Sequence, residues 1–134
     1  MKYICLSYLG PINWETMSES ERKASMDEFF AYDAELRKSG QLLGGERLQG
    51  PQSAATLRYQ NRKVTITDGP YAETKEQLAG FFVLEARDLN HAIQLMSKNP
   101  AVRGGAIEIR PAADHAEMNR ERERRRGGQT AFEQ

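Results

Sequence analysis

Polar and apolar residues alternate from position 2 to position 8, with Ile4, Leu6 and Tyr8 on one face and Tyr3, Cys5 and Ser7 on the other. A period of two is that of a strand, and Gly10-Pro11 ends it. Ser18-Glu19-Ser20-Glu21 then reads as a capping box, the Ser18 hydroxyl accepting from the Glu21 amide while Glu21 reaches back. Acidic residues in this first turn suit the positive end of a helix dipole. Met26, Phe29, Phe30, Tyr32 and Leu36 recur at helical spacing and Gly40 supplies a stop, which predicts a helix over 19–39.

A strand follows over 41–48, interrupted by Gly44-Gly45, a pair that predicts a bulge or a close backbone approach. After Gly50-Pro51, residues 55–60 and 63–67 flank Asn61-Arg62 and read as a β-hairpin. Residues 78–86 form a further strand, whose run of apolar residues predicts burial on both faces. Asp88 caps a second helix with Leu89, Ala92, Ile93 and Met96 at i, i+3, i+4 and i+7, and Asn99-Pro100 terminates it. The last strand, 106–110, turns Ile107 and Ile109 inward and Glu108 and Arg110 outward.

The order is β-α-β, a hairpin, then β-α-β. It predicts an α+β domain over 1–111: a ferredoxin-like split βαβ plan with an antiparallel sheet. Two helices cover one sheet face. The other face is partly apolar, and a second subunit related by a two-fold axis is the economical cover for it, giving a homodimer.

Composition narrows the class. The chain has 134 residues, enough for one core, with 39% hydrophobic and 28% charged residues. Lys plus Arg equals Asp plus Glu at 19 each, which gives no electrostatic footprint for nucleic acid or an anionic membrane. No apolar run approaches a membrane span, and the short apolar start, residues 1–6, reads as a strand rather than a leader. The single cysteine, Cys5, favours a reducing compartment, so a cytoplasmic location is expected, and a strand thiol there reads as a small buried hydrophobe. From residue 112 the chain is dominated by Arg and Glu, and 112–134 is expected as an exposed or partly disordered tail; i, i+4 pairs on an exposed helix are the other reading.

Chemistry concentrates in residues 68–80, DGPYAETKEQLAG, between two strands. Asp68 is the candidate catalytic residue, as a general base or a hydrogen-bond anchor. The same Asp-Gly-Pro is also what a tight turn needs, with a carboxylate accepting from backbone amides and a special φ at Gly69. Both readings stand. Lys75 between Glu73 and Glu76 suits an anionic ligand, or a loop-fixing ion-pair network. Tyr71 can stack on a ligand or cover the core, and Glu46 beside Gly44-Gly45 can reach the same cavity, with Arg47 at hand to neutralise it. The candidate ligand-binding set is thus Glu46, Tyr71, Glu73 and Lys75. His91 and His115 lack a second ligand at metal-binding spacing, and no phosphate-loop or nucleophile-elbow pattern exists, so neither metal nor cofactor is expected.

The DGPYAETKE wording, together with residues 1–3, Gly44-Gly45-Glu46-Arg47-Leu48-Gln49 and the stretch 103–111, resembles the YCII-related, DGPF-domain family. Tyr71 stands where the family name expects Phe. The resemblance implies a ferredoxin-like fold that dimerises into an α/β-barrel-like assembly, with no cofactor. Some relatives carry a proposed His-Asp pair with the His on the first helix; here residues 19–39 contain no histidine, and Phe29 falls near its place. The DGPF branch is associated with extracytoplasmic sigma factors. Two functional readings follow. One is a small-molecule-binding or enzyme-like dimer that holds a small polar ligand. The alternative is a non-catalytic regulatory or accessory module acting through protein contacts, linked to such sigma factors.

Overall fold

The computed structural model describes residues 1–10 and 16–133, with side chains as far as 127. In chain order the elements are β1 (Lys2–Leu9), α1 (Glu19–Lys38), β2 (Leu42–Arg47), β3 (Ala55–Gln60), β4 (Lys63–Asp68), β5 (Gln77–Glu85), α2 (Leu89–Ser97), β6 (Gly105–Pro111) and α3 (His115–Glu133). Short 3₁₀ turns lie at Pro51–Ser53 and Pro100–Gly104.

Both predicted caps form. The Ser18 hydroxyl accepts from the Glu21 N–H at 3.1 Å, and Ser18 N–H donates to the Glu21 carboxylate at 3.4 Å. Asp88 accepts from the His91 N–H at 2.8 Å.

The main sheet has the order β2-β5-β1-β6, with every neighbouring pair antiparallel. β5 thus lies between β1 and β2, the strands that α1 joins. β1 lies between β5 and β6, which α2 joins. Two interleaved split βαβ units result, the ferredoxin-like arrangement. The β3–β4 hairpin stays out of this sheet as a separate two-stranded ribbon.

Register decides which face each residue occupies. Tyr3, Cys5 and Ser7 pair with Leu84, Phe82 and Gly80, so these share the helix-covered face. There Tyr3, Cys5, Leu42, Leu84 and Ala86 meet Leu36 of α1 and Ala92 and Met96 of α2 in the core, with Ile107 and Ile109 packed against it. Tyr32 adds a hydroxyl that donates to the Leu95 carbonyl at 2.5 Å.

Ile4 pairs with Val83 and Leu6 with Phe81 on the opposite face, all four half-buried. The expectation that β5 is buried on both faces is therefore corrected: helices cover only the Phe82–Leu84 side, and Phe81 and Val83 on the other are half-buried. The helix stripes are also narrower than their periodicity. Phe30 is 55% exposed, with only its edge contact to Phe29, and Leu89 and Ile93 of α2 are 46% and 44% exposed.

Gly45 confirms the close-approach expectation. A Cβ there would stand 2.4 Å from the Phe81 carbonyl, φ is +153°, and the β2–β5 register shifts between Leu42 and Gly44. Residues 115–133, placed in the tail by sequence, are helical, and their side chains to 127 are exposed. Glu117 pairs with Arg120 at 2.6 Å and Arg125 with Glu121 at 3.0 Å.

Candidate ligand site between the first helix and the sheet

β1 and β5 lie side by side, and beyond the core their helix-side residues become small: Ser7 opposite Gly80. Here a cavity of about 900 Å³ lies between α1 and the sheet. Its floor includes Ser7, Gly80 and Phe82, one wall Met26, Glu28 and Phe29 of α1, and the other Arg47 and the turn that carries Arg103.

Ser7 is only 5% exposed, a polar residue on the core face of a central strand. Among the described residues nothing hydrogen-bonds its hydroxyl. The fully buried side-chain polar atoms without a hydrogen-bond partner, among the described residues, are Asn99 Nδ2 and Glu108 Oε2; the Ser7 hydroxyl is instead open to the cavity that the residue lines, where a ligand oxygen can meet it. Arg47 follows the strand alternation onto this same face, opposite Gly80. Its guanidinium lies 4.9 Å from the centre of the Phe29 ring, with Nη1 3.8 Å from the Met26 sulfur. Glu46, its neighbour, pairs in register with Phe81 on the other face, so Arg47 does not neutralise it. Arg103 is ion-paired with Glu28. Among the described residues, then, the cations of this cavity without a carboxylate partner are Arg47 and Lys75. The rings of Phe29 and Phe82, 6.4 Å apart, give it an apolar flank.

The residues singled out from sequence divide. Lys75 lines this cavity; Glu46 borders it as well, but strand register turns its side chain to the other sheet face. Tyr71 lines a second one of about 700 Å³ at the root of the hairpin, together with Tyr8, Leu48, Leu57 and Leu78. It is 79% exposed, and Arg58 stacks over its ring at 5.4 Å. Asp68 and Glu73 are exposed and line neither cavity. The turn at Asp68 is built from its neighbours: Gly69, at φ +102°, donates its N–H to the Ala54 carbonyl at 2.7 Å, and its own carbonyl accepts from Thr56 at 2.8 Å. Thr74 and Gln77 organise the rest of the loop, Gln77 donating to the carbonyls of Ala72 at 3.0 Å and Thr74 at 2.8 Å.

Sequence reasoning passed over Ser7 and the orientation of Arg47. The signal for Ser7 was there, a polar residue in register with Tyr3 and Cys5. Among the described residues no three of His, Cys, Asp and Glu converge as metal ligands. The ring of His91 is taken up locally, Nδ1 accepting the Arg87 N–H at 3.1 Å.

Residues 1–116 match the YCII-related domain. The chain belongs to the YCII-related family. This YCII-related protein is 33% identical over 117 residues to an uncharacterised protein of Rhizobium meliloti (strain 1021), a match that covers 84% of this chain and 93% of the relative. Among solved structures it resembles a 5-chloro-2-hydroxyhydroquinone dehydrochlorinase from Burkholderia phenoliruptrix AC1100 in complex with 2,5-dihydroxybenzoquinone. That match has 12% identity and a TM-score of 0.47, and covers 87% of this chain and 98% of the other. No helix among the described residues is long and apolar enough to cross a membrane.

Proposed function

We propose that this YCII-related protein is a homodimer that binds a small organic anion in the cavity between α1 and the sheet. The observation that carries this reading is that Ser7, whose hydroxyl has no hydrogen-bond partner among the described residues, lines the same cavity as an arginine with no carboxylate partner among them. A ligand oxygen would accept from Ser7 and from the Arg47 guanidinium, a charge-assisted contact. Lys75 at the rim adds a second positive charge, and the ligand's flat apolar body lies against Phe29 and Phe82. Where a histidine would stand on α1, Phe29 supplies contact area and no proton transfer, so the reading is one of binding. Asp68 and Glu73, which line neither cavity of the protomer, are assigned to the root of the hairpin.

Dimerisation is supported by the half-buried Ile4, Leu6, Phe81 and Val83 on the face that no helix covers. A two-fold axis would pack two such faces together.

The test is calorimetric titration with a panel of small carboxylates, aromatic and aliphatic. Binding of an aromatic carboxylate that is lost in Arg47→Ala and weakened in Ser7→Ala, with circular dichroism unchanged, is the expected result. Saturable binding that neither substitution alters would place the ligand elsewhere and overturn the reading.

A further inference from the structure

We infer that the apolar face of the β3–β4 hairpin is a clasp that closes on a second copy of this chain. The inference deepens the dimer reading above and rests on it. Leu57 pairs with Ile66 and Tyr59 with Val64, so the four large apolar side chains share one face of the ribbon. The opposite face carries Thr56, Arg58, Gln60, Lys63, Thr65 and Thr67. Such strict alternation is the pattern of a strand pair with one buried side.

Yet within the protomer that side is bare. Leu57 is 64% exposed, Tyr59 72%, Val64 60% and Ile66 71%. A two-stranded ribbon without a packed face is marginal in water. At its root the ladder continues, Gly69 donating to Ala54, and Arg58 donates to the Tyr71 carbonyl at 3.3 Å in the segment that follows. Four adjacent side chains so exposed form a patch of the size that marks interaction sites on monomers.

Continuity selects a second copy as the occupant. The cavity of about 700 Å³ at the root is lined by Leu57 from the hairpin and by Tyr8, Leu48 and Leu78 from the main sheet. The hairpin's apolar face therefore runs into the sheet face that the proposed dimer buries. Area points the same way. Ile4, Leu6, Phe81 and Val83 are half-buried already and offer a partner only part of their surface. The four exposed hairpin side chains add apolar surface toward the roughly 800 Å² per partner that a stable interface needs. Because a two-fold interface is self-complementary, one operation covers both hairpins.

Sedimentation velocity over a dilution series of the full chain tests this, comparing wild type with Leu57→Glu/Ile66→Glu. Both residues are exposed in the protomer, so the variant should keep its circular dichroism. The expected result is a dimeric wild type and a dimer dissociation constant raised by roughly 100-fold or more in the variant. Should the first pair unfold, Tyr59→Lys/Val64→Lys near the tip reads the same contact. A dimeric wild type whose dissociation constant is unchanged in a folded hairpin variant would overturn the clasp and leave the dimer standing. A wild type that stays monomeric at high micromolar concentration would overturn both, and would assign the hairpin face to a foreign protein or a lipid surface.

Discussion

Ser7 and Cys5 lie two residues apart on the same strand face, and their surroundings give them opposite characters. Cys5 is fully buried in the core, and burial pushes its thiol up to about 11. Burial also raises the Tyr32 hydroxyl above its ordinary range, with smaller contributions from Cys5 and Glu35. Both groups hold their protons more tightly folded than unfolded. The stability this contributes is fully present below pH 9 and is lost as pH rises through 11. Urea melts should therefore give a lower midpoint at pH 10.5 than at pH 8, and native Cys5 should react with a thiol reagent at pH 8 far more slowly than the unfolded chain. Ser7 instead sits where the core opens into the cavity. Because its hydroxyl has no partner among the described residues, Ser7→Ala should change stability by less than about 0.5 kcal/mol, while anion affinity falls roughly tenfold. A substitution that destabilised the fold without touching affinity would make Ser7 a packing residue only.

At the scale of elements, the hairpin turn departs furthest from local preference. Asn61 and Arg62 both have positive φ, 51° and 63°, the geometry of a two-residue turn that favours Asn-Gly. Arg62 occupies the position that glycine fits without strain. Arg62→Gly is expected to stabilise the protein by about 0.5–1 kcal/mol, seen as a higher thermal midpoint; a lower midpoint would mean that the arginine makes a contact in the assembly. Gly45 behaves in the opposite sense. Its Cβ would meet the Phe81 carbonyl, which the sheet holds in place, so Gly45→Ala should cost about 2 kcal/mol or more in denaturant melts. The capping box at Ser18, both of whose bonds form, was legible from four residues because capping is a local event.

For the whole molecule, the interleaving of the two βαβ units places the longest strand, β5, in contact with β1 and β2, and the pairing of β6 with β1 completes the main sheet at Pro111. The Ala112 N–H still donates to the Lys2 carbonyl at 2.9 Å, and from 114 to 127 the side chains are exposed. A chain ending at Ala113 should therefore melt within a few degrees of the full chain. A large drop would show that α3 packs on a surface in the assembly.

By itself the sequence determined the local structure: strand alternation, both helix caps, the hairpin turn, the Gly45 approach and the βαβ-hairpin-βαβ order. Each depends on residues within a few positions of one another, where spacing is the physics. Membership of the family was equally legible, from the wording of residues 68–80. The site was not. Charge density drew attention to Asp68 and Glu73, but a hairpin that leaves the main sheet holds them in solvent. Arg47 comes over Phe29 instead, through strand register and the docking of α1 on the sheet, and Ser7 lines the cavity between them. Convergence of side chains from β1, α1 and β2 is a property of tertiary packing, which no local spacing encodes.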